Sequence, residues 1–283
     1  MSRLLIRAAA RLPLPLLHAL GALLGWAVYG LSPTYRRHLR ENLDAAGYRD
    51  AATRRAAVAG AGRMLAELPA VWLRPRAEAT ALVRDVEGRE LIDAARAAGQ
   101  GIVFLTPHLG CFEIAAQAAA AEFPITVLYR SPKLAWLQPL IEEGRGGGNV
   151  RLARADLSGV RDIVGALARG EAVGILPDQV PGEGEGEWAE FFGRPAYTMT
   201  LGAKLAARPG TACLLVFGER LPGGGGYVVR LRPLPPGEPG ESGVRRMNRA
   251  IEALIRECPG QYLWGYNRYK RPRRAPANPA ESR

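Results

Sequence analysis

Residues 13–31, Pro-Leu-Pro-Leu-Leu-His-Ala-Leu-Gly-Ala-Leu-Leu-Gly-Trp-Ala-Val-Tyr-Gly-Leu, form one apolar run without an Asp, Glu, Lys or Arg. As a helix it would reach about 28 Å against a hydrocarbon core of about 30 Å. The run therefore predicts a membrane anchor over residues 1–33, either crossing the bilayer or lying in its interface. Trp26 and Tyr29 suit an interfacial belt near its end. Arg3, Arg7 and Arg11 precede the run and Arg36, Arg37 and Arg40 follow it, so flanking charge does not orient it. No Ala-x-Ala site follows, which argues against a cleaved leader.

Ser32-Pro33 is a good helix start, and residues 34–73 read as two Ala-, Leu- and Arg-rich helices separated around Gly47–Asp50. From Val83 the rhythm changes. Short apolar runs at Gly101–Thr106, Ile125–Tyr129, Ala172–Leu176 and Thr211–Phe217 alternate with segments of helical period, the pattern of strands joined by crossover helices. Tyr227–Leu231, behind a Pro- and Gly-rich turn, predicts an antiparallel hairpin at the sheet edge, and Val244–Glu257 a closing helix. The fold class is α/β: a mainly parallel sheet covered by helices, with an antiparallel edge and an N-terminal helical anchor. The catalytic domain is expected over residues 34–268. Residues 269–283, opening near Lys270-Arg271-Pro272-Arg273-Arg274, are expected to form a disordered basic tail.

A net charge of +11, from 38 Lys and Arg against 27 Asp and Glu, implies anionic partners without choosing among lipid headgroups, phosphates, acidic proteins and nucleic acid. Cys111, Cys213 and Cys258 are widely spaced, so neither a disulfide framework nor a zinc site is supported. The reading calls for no metal and no cofactor. His108 stands alone in the body of the chain; His18 and His38 lie near its beginning.

The most informative stretch is Ile102-Val103-Phe104-Leu105-Thr106-Pro107-His108-Leu109-Gly110-Cys111-Phe112-Glu113-Ile114. It places a histidine at the carboxyl end of a strand, where open α/β sheets put ligands and catalysts. On one continuous helix His108 and Glu113 would stand about 140° apart. With His108 in the turn before the helix, and Gly110 freeing the backbone, Glu113 can point back at the ring. Such a pair suits attack of a hydroxyl on a thioester: the imidazole takes the proton while a carboxylate holds the tautomer.

This stretch closely resembles the His-x-Gly-x-x-Glu motif of the bacterial lipid A biosynthesis acyltransferases. The resemblance extends to Arg36-Arg37-His38-Leu39-Arg40-Glu41-Asn42-Leu43, Val86-Glu87-Gly88, Leu128-Tyr129-Arg130, Gly144-Arg145, Leu176-Pro177-Asp178-Gln179, Phe191-Phe192-Gly193 and Thr198-Met199-Thr200. It implies a catalytic dyad at His108 and Glu113, an acyl carrier protein as donor, a phosphorylated lipid A-type glycolipid as acceptor, and a place on the cytoplasmic face of the inner membrane. Cys111 and Phe112 stand where the family usually has Asn-Trp.

Arg130, Lys133, Arg145, Arg151 and Arg154 are candidate phosphate binders. The resemblance favours Arg130 and Arg145, and it gives Asp178 and Gln179, after a strand and a proline, a supporting place in the site. Gly182-Glu183-Gly184-Glu185-Gly186-Glu187 reads as an acidic mobile loop or lid. Gly144–Gly148 lacks the Lys-Ser/Thr ending of a phosphate loop. Three rival readings are an acyl-enzyme on Cys111; the same chemistry on an ornithine lipid, a glycerolipid or a phosphoinositide mannoside; and a non-catalytic basic protein binding membrane or nucleic acid. No recognised nucleic-acid module accompanies the positive charge, and aromatics are only 7% of residues.

Overall fold

The computed structural model describes residues 2–130, 136, 138–182, 184–273 and 275–278. Its helices are α1 (Ser2–Ala10), α2 (Leu14–Leu31), α3 (Pro33–Ala45), α4 (Ala51–Ala66), α5 (Leu68–Leu73), α6 (Arg76–Thr80), α7 (Arg89–Ala97), α8 (Phe112–Glu122), α9 (Gln138–Arg145), α10 (Leu157–Ala168), α11 (Leu201–Ala206) and α12 (Gly243–Glu257). The strands are β1 (Val83–Glu87), β2 (Gly101–Leu105), β3 (Ile125–Tyr129), β4 (Val150–Arg154), β5 (Ala172–Ile175), β6 (Gly186–Phe191), β7 (Arg194–Met199), β8 (Thr211–Arg220) and β9 (Tyr227–Pro233).

Seven strands form one sheet in the order β1-β9-β8-β2-β5-β3-β4. From β8 to β4 neighbouring strands are parallel; β9 runs antiparallel to β8 and carries β1 parallel to itself. The mainly parallel sheet is thus as expected, with β1 lying outside the hairpin strand. β6 and β7 form a separate antiparallel pair. Most of the segment expected as a mobile loop resolves differently: Gly182 N–H donates to Glu185 Oε2 at 2.9 Å in a tight turn, and β6 starts at Gly186. Glu183 lies outside the described residues.

The central strand β2 is buried on both faces, which is why its sequence is continuously apolar. Ile102 and Phe104 face a cluster with Ile114 and Ala115 of α8. Val103 and Leu105 face the other, with Val244, Met247 and Ile251 of α12. Two apolar layers therefore clamp β2 and fix the position of whatever follows Leu105.

Ser32 caps α3 by accepting from Tyr35 N–H at 3.3 Å, as its place before Pro33 predicts. α2 packs one side against α4 and leaves Leu16, Leu20, Leu23, Leu24, Trp26, Val28 and Leu31 exposed. The close approach requires glycine: a Cβ on Gly62 would overlap the Gly21 carbonyl oxygen and stand 2.6 Å from the Gly25 nitrogen. Gly62→Ala is expected to push α2 off α4 and cost about 1–3 kcal/mol, as overpacking does. Thermal unfolding in detergent checks it; an unchanged midpoint would mean that the helices do not meet there.

The chain end is better placed than a basic, apolar-poor tail predicts. Ala275 is buried with Val180 and Tyr197, and Trp188 donates its indole N–H to Pro276 O at 3.0 Å. The β6–β7 pair supplies the apolar surface that the tail itself lacks. Residues 279–283 lie outside the described region.

Candidate active site

After β2 the chain turns through Thr106-Pro107 into a loop pinned on two sides. Gly110 N–H donates to Gln261 O at 3.1 Å, Cys111 N–H to Gly218 O at 2.8 Å, and Leu263 N–H to His108 O at 3.1 Å. Gly110 has φ +59° and lies so close to Gly218 that a Cβ would overlap its carbonyl oxygen. Both the left-handed backbone and the close approach exclude other residues there.

The strand order decides what meets His108. β5 is the neighbour of β2, so Asp178, just beyond β5, lies beside the loop. Its carboxylate accepts from His108 N–H at 2.9 Å through Oδ2 and lies 2.8 Å from His108 Nδ1 through Oδ1. An ionised carboxylate only accepts, so the proton sits on Nδ1 and the Nε2 lone pair is left as the base. Asp178 is 2% exposed. Burial alone would raise its carboxyl, but the positive charge available to His108, two hydrogen bonds from His108 and the buried Arg268 outweigh burial and hold it below the ordinary carboxylate range. Gln179 Nε2 lies 3.1 Å from His108 Nε2, so with this tautomer its amide N–H caps the base and gives way when a hydroxyl arrives. Phe112 covers the imidazole, ring centres 4.9 Å apart.

Glu113 does not meet the ring in this arrangement. The spacing argument pointed it at His108; instead it lies in the first turn of α8 facing α9, where it pairs through both oxygens with Arg145, one contact being 3.0 Å from Arg145 Nε. A turn later, Gln117 donates to Gly144 O at 3.0 Å. Arg145 also lies over the Trp72 ring, 5.4 Å from its centre, and a Cβ on Gly144 would overlap the Trp72 side chain. Gly144 thus lets α9 approach closely enough for Arg145 to reach Glu113.

Two spaces meet at this point. A cleft of about 220 Å³ is lined by His108, Arg130, Arg145 and Gln179, with Tyr129 and Met199 among its walls. A narrow apolar slot begins at Glu113, Arg145 and Leu176 and runs between α8 and the sheet to Ile125 and Phe123. Arg145 and Leu176 line both. Alanines 115, 116, 118 and 119 of α8 form one wall, and Gly174 keeps the opposite wall open. Phe123, stacked on Phe104, stands at the far end.

The other predicted cations are dispersed. Arg130 is exposed, 3.8 Å from Glu185, at the cleft mouth. Arg151 pairs with Glu171 at 3.3 Å, and neither it nor Arg154 lines the cleft. Lys133 lies outside the described residues. Cys111 is buried behind the loop, and burial with the nearby Glu67 charge pushes its thiol well up, which disfavours the thiolate that a nucleophile needs.

Sequence reasoning included Asp178 but did not pair it with His108. The available signal was its place after a strand and a proline at the carboxyl edge. It missed a buried cluster behind Cys111: Glu67 accepts from Arg220 at 2.8 and 2.6 Å and from Tyr227 at 3.0 Å, and lies 3.0 Å from His18 Nε2.

A family model described as bacterial lipid A biosynthesis acyltransferase matches residues 3–271. The chain is 29% identical over 215 residues to the lipid A biosynthesis palmitoleoyltransferase of Escherichia coli (strain K12), covering 74% of this chain and 68% of that protein. It is 32% identical over 202 residues to the lipid A biosynthesis lauroyltransferase of the same organism, covering 68% and 64%. With a lipid A biosynthesis acyltransferase of Haemophilus influenzae it shares 26% identity over 182 residues, 62% of this chain and 56% of the other.

Proposed function

Because the chain belongs to the bacterial lipid A biosynthesis acyltransferases, we propose that it moves a fatty acyl group from an acyl carrier protein thioester to a hydroxyl of a phosphorylated lipid A-type precursor, with His108 as general base. The observation that carries this reading is the imidazole itself: Nδ1 is held by a buried carboxylate and Nε2 faces a cleft that joins an apolar slot.

The acyl chain lies in the slot, which brings its thioester carbonyl to the junction beside Arg145. The acceptor hydroxyl displaces the Gln179 amide and gives its proton to His108 Nε2 as its oxygen bonds to the carbonyl carbon. Negative charge then develops on the carbonyl oxygen, and the Arg145 guanidinium, which lines both cleft and slot, is placed to receive it. Glu113 holds that guanidinium in place. Collapse of the intermediate forms the ester and breaks the carbon–sulfur bond. His108 returns the proton to the departing thiolate, and no acyl-enzyme is formed.

Arg130, at the cleft mouth, is suited to a phosphate of the acceptor. The exposed leucines of α2 face lipid, and because α4 holds the helix's other side, α2 lies in the membrane interface rather than crossing the bilayer alone. The catalytic domain then rests on the cytoplasmic face of the inner membrane, where acyl carrier protein is available.

The test is transfer of labelled acyl chains from a panel of acyl carrier protein thioesters to total bacterial lipid. Label in a phosphorylated glycolipid is the expected result; label in another lipid would reassign the acceptor, and no transfer from any donor would reject the reading. The same assay probes the slot. A Cβ at position 174 would stand 3.5 Å from Val127 and 3.7 Å from Ile125, which leaves room for a methyl group and little more. Gly174→Ala is expected to keep the donor profile. Gly174→Leu is expected to cut use of the longest accepted chains by about ten- to a hundredfold, the scale of overpacking, and to favour shorter ones. An unchanged profile would remove the slot as the chain's seat.

A further inference from the structure

Behind the catalytic loop, a cavity of about 550 Å³ opens between α2, α4, the turn after β8 and residues 258–261. Pro15 and Ala19 of α2, Gly60 and Arg63 of α4, and Arg220 and Pro222 lie in its walls. It does not include His108, Arg130 or Arg145. Nothing in the acyl transfer chemistry above uses it.

Its charges do not balance. Arg63 and Arg220 both border it, while the adjacent carboxylate, Glu67, is already taken: one oxygen accepts from Arg220, and the other serves Arg220, His18 and Tyr227. Arg220 is further held by Gln261 Oε1 at 3.3 Å. Among the described residues Arg63 has no ion pair, and its Nε is buried without a hydrogen-bond partner. A guanidinium in a cavity wall that lacks a carboxylate of its own leaves a positive charge that an anion entering from outside can balance. The remaining walls are largely apolar, and the helix forming one of them exposes Leu16, Leu20 and Leu23. A forked cation in an apolar-walled pocket beside a lipid-facing helix has the chemistry to hold a phosphate whose substituents are greasy.

We propose that this pocket is a second, non-catalytic binding site for a phosphate group, with Arg63 as its principal ligand and the headgroup of an anionic membrane lipid as the source that its apolar walls favour. Occupancy would fasten the α2–α4 unit to the membrane at the edge of the sheet that carries His108.

The full chain in non-ionic detergent is to be titrated with phosphatidylglycerol, with phosphatidylcholine and with inorganic phosphate, following bound lipid by native mass spectrometry and the midpoint of thermal unfolding. Phosphatidylglycerol is expected to bind and stabilise more strongly than phosphatidylcholine, and Arg63→Gln to weaken it by about tenfold or more, the loss of a charge-assisted contact. Ala19→Trp, which fills the pocket from the opposite wall and leaves the cation in place, is expected to weaken it likewise. Both variants should keep wild-type acyl transfer in mixed micelles, which shows that they are folded. Displacement of the lipid by excess inorganic phosphate would assign the site to soluble phosphate; resistance to displacement would assign it to the lipid headgroup. Either result supports the phosphate site. Wild-type affinities in both variants, or no binding of either anionic probe to the wild type, would overturn it.

Discussion

Asp178→Asn is expected to lower acyl transfer by about 10²–10⁴, as much as His108→Ala, because the base works only in the tautomer that Asp178 imposes. The aspartate offers two acceptors, one to His108 N–H and one to Nδ1–H. An asparagine has a single acceptor oxygen. If that oxygen keeps the backbone N–H, the amide N–H₂ faces Nδ1, which must then accept; the ring proton moves to Nε2, and the nitrogen facing the cleft is no longer a base. If the oxygen keeps Nδ1–H, the backbone hydrogen bond at His108 is lost, and the imidazolium formed during transfer lacks its buried counter-charge. Glu113→Gln separates this arrangement from the His108–Glu113 dyad implied by family resemblance. With Glu113 acting through Arg145, E113Q is expected to loosen the guanidinium and raise KM for the thioester as well as lower kcat. Steady-state kinetics on H108A, D178N and E113Q, with circular dichroism to establish folding, checks all three. Loss in E113Q equal to that in H108A, with D178N at wild-type rate, would make Glu113 the working partner of the ring and the Asp178 contact a resting one.

The strands legible in the sequence are the ones both faces of the sheet bury. Gly101–Leu105 and Ala172–Ile175 are apolar throughout because helices cover them above and below. The outermost strands were not legible. Val83–Glu87 and Val150–Arg154 are part-exposed and mix charges with apolar residues, so they look like loop. The β6–β7 pair was hidden by its Gly- and Glu-rich approach. At the site, local reasoning found His108 because a strand end is a local feature. It joined His108 to Glu113 because these are near in sequence, whereas Asp178 reaches the ring only because β5 is inserted next to β2. Strand order is a property of the whole sheet and leaves no mark in a short window. The Glu67–Arg220 pair, 153 residues apart, was invisible for the same reason.

That pair carries the largest expected effect on stability. Glu67 is fully buried, Arg220 nearly so, and Arg220 holds both carboxylate oxygens. Burial by itself would raise the Glu67 carboxyl, yet the charge and hydrogen bonds of Arg220, with His18, bring it down to about 2. Glu67→Gln leaves Arg220 a buried charge without a counter-charge, and breaking a buried pair in this way typically costs about 3–5 kcal/mol. Much of that cost belongs to the stranded guanidinium rather than to the attraction lost, so Glu67→Gln combined with Arg220→Met is expected to recover most of it. The carbonyl of the introduced amide can still accept from Tyr227. A carboxyl whose folded value lies below its unfolded one stabilises the fold above the unfolded value and ceases to do so as the pH falls through the folded one. In the wild type this contribution should therefore be complete above about pH 4.5 and decline toward pH 2, and the corresponding part of the acid limb should be missing in E67Q. Denaturant unfolding across this range checks the sign. A single variant as stable as the wild type, or a double variant no better than the single, would mean that the pair is relieved by water. Because the pair joins His18 of α2 to Arg220 and Tyr227 of the sheet behind Cys111, its loss should also slow acyl transfer without touching the imidazole.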